Sequence, residues 1–147
     1  MNRICLFPGS FDPFTKGHKS IVERALRCIA DEVVVAIGNN GEKKCTESVE
    51  ERIENIRGIF SDEKRVRVDA YDGLTADYAK EIHADFIVRG VRNIKDFEYE
   101  RDIAEVNRRI SGIETVLLYT DPEYASISSS IVRELQSYNK DVTEFLP

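Results

Sequence analysis

The stretch Phe7-Pro8-Gly9-Ser10-Phe11-Asp12-Pro13-Phe14-Thr15-Lys16-Gly17-His18 decides how this chain folds. The apolar run Ile4-Cys5-Leu6-Phe7 leads into it, and an amphipathic pattern over residues 21–29 leads out of it. Between them Pro8, Gly9, Pro13 and Gly17 interrupt regular structure, the prolines by fixing φ and the glycines by freeing it. The spacing predicts a strand, a turn-rich loop and a helix that begins beside His18. Such a loop is a ready anion site, because the first N–H groups of the helix have no partner within it.

Working outward, β-rich segments alternate with helix-period segments to the end of the chain. A strand over residues 3–7 is followed by a helix over 17–30 with Ile21, Ala25, Leu26 and Ile29 on one face. The unbroken run Val33-Val34-Val35-Ala36-Ile37 reads as a central parallel strand buried on both sides. Ser48 and Glu51 form a capping-box signature before a helix carrying Val49, Ile53, Ile56 and Phe60. The alternation in residues 65–70 places the third strand at a sheet edge. A helix over 75–82 and a strand over 86–89 come next. Asp96 is expected to cap a helix with Tyr99, Ile103, Val106 and Ile110 at helical spacing, although no helix face reads as surplus apolar surface. A fifth strand over 114–119 and a helix opened by Ser128 or Ser129 complete the pattern. The expected fold class is α/β, a doubly wound five-stranded parallel sheet with right-handed crossovers, in one domain spanning 1–147.

In a sheet of this kind ligands bind beyond the carboxyl ends of the strands. The loops after strands hold the unusual chemistry: the opening stretch, then Asn39 to Lys44, then Arg89-Gly90-Val91-Arg92-Asn93, then Asp121 to Ser130. Lys43, Lys44, Arg89, Arg92 and Lys95 are thereby gathered at one end of a chain whose formal charge is −6. With the hydroxyls of Ser128, Ser129 and Ser130 they form a constellation for phosphate groups. His18 follows a glycine that leaves room for a ligand. His83, at the far end of a helix, reads as structural.

The composition excludes several classes. A net negative charge argues against a general nucleic-acid binder. The three cysteines have no metal-ligand spacing; Cys5 and Cys28 read as small core residues and Cys45 as a surface thiol. A reducing compartment and a cytoplasmic location follow as expectations, since no segment reads as a membrane span or signal peptide. The chain has neither a Gly-x-x-x-x-Gly-Lys-Ser/Thr loop nor a Gly-x-Gly-x-x-Gly turn after the first strand. It has no carboxylate cluster that would cage a divalent ion, so the protein itself is expected to hold no metal, and magnesium, if used, would ride on substrate phosphates and water. Cations, a histidine and serines without a nucleophile suit a direct displacement at phosphorus.

Gly9-Ser10-Phe11-Asp12-Pro13 with Thr15-Lys16-Gly17-His18 resembles the signature of the nucleotidyltransferases related to class I aminoacyl-tRNA synthetases. Arg89-Gly90-Val91-Arg92 with Asp96-Phe97-Glu98-Tyr99-Glu100, and Ile127-Ser128-Ser129-Ser130-Ile131-Val132-Arg133, narrow the resemblance to the bacterial phosphopantetheine adenylyltransferase family. That family has a Rossmann-like nucleotidyltransferase fold and transfers AMP from ATP to 4'-phosphopantetheine, giving dephospho-CoA and pyrophosphate. The resemblance implies that Ser10 and His18 contact the reacting phosphates, with His18, Lys43 and Arg92 catalytic. It implies that Lys43 and Arg89 bind the phosphate of phosphopantetheine, and that Leu74 and Thr75 line its arm with Asn107 beyond them. ATP would be held by Ser10, Phe11, His18, Gly90, Val91, Arg92 and Glu100, together with Tyr124, Ala125, Ser126, Ile127, Ser128, Ser129 and Ser130. It further implies magnesium, a homohexamer built as a dimer of trimers, and inhibition by coenzyme A. Ser10 stands where threonine is common, and Tyr124 where tryptophan is common. Two alternatives remain at this stage: a sister enzyme with another acceptor, such as glycerol phosphate or nicotinamide mononucleotide, and a catalytically silent nucleotide-binding domain.

Overall fold

The central strand of the sheet is β1 (Ile4–Gly9), and every other element is arranged about it. The computed structural model describes residues 2–39 and 45–147. The chain runs β1, α1 (Lys16–Cys28), β2 (Glu32–Gly38), α2 (Val49–Ile59), β3 (Val66–Tyr71), α3 (Thr75–Glu81), β4 (Phe86–Val91), α4 (Ile94–Ser111), β5 (Glu114–Tyr119) and α5 (Ser129–Ser137). Short 3₁₀ turns at Pro122–Tyr124 and Thr143–Phe145 flank α5. The sheet order is β3-β2-β1-β4-β5, and each pairing is parallel. The winding turns back at β1, so the switch point in strand order lies between β1 and β4.

Register explains why a crevice opens there. β1 pairs with β2 along its whole length, from Ile4 with Glu32 to Gly9 with Ile37. Its pairing with β4 covers only Cys5 with Phe86 and Leu6 with Ile87. Beyond those residues the two strands separate toward their carboxyl ends. The apolar residues alternate between two cores. Phe7, Val33 and Val35 pack on one face with Val22, Ala25 and Ile56 from α1 and α2. Leu6, Val34, Ala36 and Ile87 pack on the other with Tyr78 and Ala79 of α3. β2 is apolar and fully buried from Val33 to Ile37, and β3 lies at an edge, as their patterns predict.

Several local expectations are corrected. β4 continues to Val91, so Arg89 lies within the strand rather than at its end. The cap of α4 is Asn93, whose side chain accepts from the Asp96 N–H at 2.9 Å; the Asp96 carboxylate is thereby left for Arg92. Cys28 is exposed rather than in the core, while burial pushes the Cys5 thiol up to about 12. Tyr99, Ile103, Val106 and Ile110 share a face of α4 that is exposed, so this helix does carry surplus apolar surface.

Candidate active site

The loop from Ser10 to Thr15 is held by its backbone carbonyls and one buried acid. Arg52, itself buried, donates from Nη1 to the Ser10 carbonyl at 2.5 Å. Arg133 of α5 donates to the Asp12 carbonyl at 2.6 Å, and the Ser129 hydroxyl to the Pro13 carbonyl at 2.7 Å. The buried Asp12 carboxylate accepts from the N–H groups of Thr46 and Glu47 at 2.7 and 3.2 Å. Asp12, Arg52 and Arg133 carried no assigned role in the sequence. Their signal there was slight: one acid inside the opening motif, and two arginines each one helical turn after a serine.

His18 is positioned by this loop. Thr15 caps α1 and donates its backbone N–H to His18 Nδ1 at 2.9 Å. An imidazole nitrogen that accepts carries no proton, so the proton of the neutral ring sits on Nε2. The ring packs among Phe7, Phe11 and Phe14, with centroids 6.2, 5.1 and 5.3 Å away. Gly9 makes the packing possible, since a Cβ there would lie 2.8 Å from the Phe11 ring. Burial, and then the charges of Arg89 and Arg92, hold the imidazole down to about 3. At neutral pH His18 is therefore an uncharged hydrogen-bond donor.

Arg89 spans the crevice. Its Nε and Nη2 donate to the two carboxylate oxygens of Glu100 at 2.9 and 2.8 Å, and its Nη1 donates to the Pro8 carbonyl on β1. A guanidinium has five N–H donors, so further hydrogens remain for a ligand. Glu100 is the buried residue of α4, and the fork of Arg89 neutralises it. Arg92 is more exposed and is oriented by Asp96 at 3.0 Å.

Two clefts meet at this pair. The first, of about 340 Å³, opens over β1 and β4 and is lined by Ser10, Phe11, His18, Gly90 and Arg92, with Ile127 to Ser130 across from them. The Ser128 hydroxyl caps α5 at the Ile131 N–H, and the Ser130 hydroxyl accepts from Arg133. The hydroxyls of Ser128, Ser129 and Ser130 thus have partners within the protein. What α5 offers a ligand in addition is its unpaired N-terminal N–H groups. The second cleft, of about 500 Å³, runs between the sheet and α4 and is lined by Tyr71, Thr75, Ile103 and Asn107. Ser10, Arg89 and Glu100 line both.

Other expected positions fall elsewhere. The Val91 side chain is buried. Tyr124 lines a separate groove along α1 with Lys16 and Arg24, and Ala125 and Ser126 line neither cleft. Leu74 is exposed at the start of α3, and Lys95 is exposed outside both clefts. Lys43 and Lys44 lie outside the described residues. Among the described residues no three His, Cys, Asp or Glu side chains come together as metal ligands.

Comparison with known proteins then decides the lineage. The cytidylyltransferase-like family model matches residues 6–135. The chain is 57% identical to the phosphopantetheine adenylyltransferase of Phocaeicola vulgatus over 99% of its own length and 95% of that protein. It is 53% identical to that of Bacteroides fragilis, covering 99% of this chain and 96% of the other. This chain belongs to the phosphopantetheine adenylyltransferase family. A solved structure described as a putative nicotinate-nucleotide adenylyltransferase from Vibrio parahaemolyticus superposes with a TM-score of 0.65 at 17% identity, over 99% of this chain and 94% of that one. At that identity the likeness is one of fold: a Rossmann-like nucleotidyltransferase sheet, with the adenylyltransferase family's motifs placed at its switch point.

Proposed function

We propose that this chain transfers AMP from ATP to 4'-phosphopantetheine, releasing pyrophosphate and forming dephospho-CoA, the penultimate step of coenzyme A synthesis. The observation that carries the reading is the meeting of two clefts at Arg89, with a neutral His18 beside it in the first. The relatives' name supplies the substrates.

In this reading ATP occupies the first cleft and phosphopantetheine the second. A phosphate oxygen of the acceptor attacks the α-phosphorus. The bond from that phosphorus to the bridging oxygen breaks, and pyrophosphate leaves. No covalent intermediate on the protein is required. His18 Nε2–H donates to an α-phosphoryl oxygen as charge accumulates there, and it loses nothing to deprotonation because the ring is already neutral. Arg92, held by Asp96, meets the polyphosphate with the N-terminal N–H groups of α5. Arg89 presents its remaining donors to the acceptor phosphate, to which the family resemblance also assigns Lys43. Thr75 and Asn107 line the acceptor's arm.

Magnesium in this scheme is carried by the nucleotide's phosphates and water, since the described residues offer no cluster of ligands for it. Coenzyme A has both an adenylate and a pantetheine arm, so it would span both clefts and inhibit by competition. The exposed apolar stripe of α4 supports assembly into the family's hexamer. In this reading the reaction runs where ATP is at hand, in the cytoplasm; among the described residues no helix is long and apolar enough to cross a membrane. One domain carries both clefts.

The test is pyrophosphate release from ATP with a panel of acceptors. Turnover is expected with phosphopantetheine and not with glycerol phosphate or nicotinamide mononucleotide. Preference for either of the latter would overturn the assignment.

A further inference from the structure

Thr115 of β5 carries the described buried side-chain oxygen that has no hydrogen-bond partner. A buried hydroxyl is normally paired, because leaving one unmatched costs the hydration it had in water. Thr115 is nonetheless in the wall of the second cleft, and the residue as a whole is half-buried. Its place is set by register. β4 pairs with β5 through Ile87 with Thr115 and Arg89 with Leu117, so Thr115 lies two residues below Arg89, roughly 7 Å along the strands. α4 runs back over the sheet, and Asn107 lies two turns after Glu100, roughly 10 Å from it along the axis. Arg89 and Glu100 thus close one end of the cleft, and Thr115 and Asn107 line the other. Ile87, level with Thr115, and Ile103 and Ala104 of α4 make the rest of that wall apolar.

We infer that Thr115 is a specificity-determining residue for the acceptor, and that its hydroxyl, beside the Asn107 carboxamide, takes an amide group of the acceptor's arm. This rests on the acceptor assignment above. A ligand with an anionic head, an apolar stretch and an amide matches the cleft from the Arg89 end to the Thr115 end. The amide supplies the partner that the hydroxyl lacks. A staggered step about χ1 would be the movement that turns the hydroxyl toward a cleft ligand.

The experiment compares Thr115→Val, which removes the hydroxyl at nearly constant shape, with Thr115→Ser, which keeps it. Steady-state kinetics with ATP and phosphopantetheine are read together with thermal midpoints. The expected result for Thr115→Val is a three- to tenfold rise in KM for phosphopantetheine, the scale of one neutral hydrogen bond. KM for ATP should stay unchanged and the thermal midpoint should not fall. Thr115→Ser should restore the acceptor KM. An unchanged acceptor KM with a raised midpoint would show an orphaned hydroxyl and overturn the inference, as would equal rises in both KM values. Absence of any wild-type turnover with phosphopantetheine would instead strike the acceptor assignment itself.

Discussion

Helices α1 and α4 both flank the sheet and both show apolar residues at helical spacing, yet they do opposite things. In α1 the apolar side faces the sheet, and Val22 is 0% exposed. In α4 the sheet-facing side bears Glu100, Ala104 and Asn107, while Tyr99 and Val106 stand 65% and 54% exposed. The difference follows from what lies beneath each helix. Under α1 there is solid core. Under α4 there is a cleft, so its inner side mixes Glu100 and Asn107 with Ala104 and Ile103, and the outer part of its apolar stripe, Val106 and Ile110, has nothing among the described residues of this chain to pack against. α1 therefore serves as a rigid mount for His18, and α4 as the wall of the second cleft.

The largest test of the contrast is at the mount. His18→Ala should reduce turnover by ~10²–10³, the cost of losing one transition-state donor, while ATP binding changes little. Collapse of ATP affinity with normal turnover at saturation would make His18 a ground-state ligand. At the wall, Arg89→Ala should raise KM for phosphopantetheine by roughly ten- to a hundredfold, as expected for a charge-assisted hydrogen bond, with ATP affected less. An unchanged acceptor KM would contradict the two-cleft division.

Stability should separate the helices as well. Val22→Ala removes two buried methyl groups and should cost about 2 kcal/mol in denaturant unfolding. Val106→Ala should cost under about 0.5 kcal/mol within the single chain. Val106→Glu should instead lower the solution mass, if the stripe is covered by other copies. Equal losses of single-chain stability from both alanine variants would mean that α4 packs more like α1 than its exposure indicates.

The last test concerns pH. The folded imidazole of His18 is held at about 3, against 6.5 for the free side chain. The unfolded chain therefore takes up a proton near pH 6.5 that the folded protein refuses. His18 opposes folding increasingly as pH falls from 6.5 toward 3, and has no such effect above 6.5. Relative to His18→Gln, wild-type stability should decline over that range. The His18 ring resonances of the free protein should stay in their neutral form between pH 5 and 8. A titration step near 6.5 would remove the basis for a neutral donor.

Much of the fold was legible because burial leaves a periodic trace. The run from Val33 to Ile37 marked a central strand, and Ser48 with Glu51 marked a helix start. Of the crevice residues, His18 and Arg92 were legible because strand ends carry ligand chemistry in this topology, while Ser10, Phe11 and Gly90 came from the family resemblance. The clamps were not. Arg52 and Arg133 act on carbonyls 42 and 121 residues away in sequence, and no local pattern encodes such a contact. Nor could sequence separate Glu100 as a free ligand contact from Glu100 as the partner of Arg89, because the two arrangements share the same spacing.

By itself the sequence determined that five strands alternate with helices, that a turn-rich stretch joins the first strand to the first helix beside His18, and which family the motifs resemble. Periodicity and motif spacing are local quantities, and they survive in one dimension. Only the tertiary structure decided that β1 and β4 part after Leu6 and Ile87, that Thr15 leaves the proton of His18 on Nε2, and that α4 turns its apolar stripe outward. Each of those depends on which distant groups meet in space, and a burial pattern does not specify that.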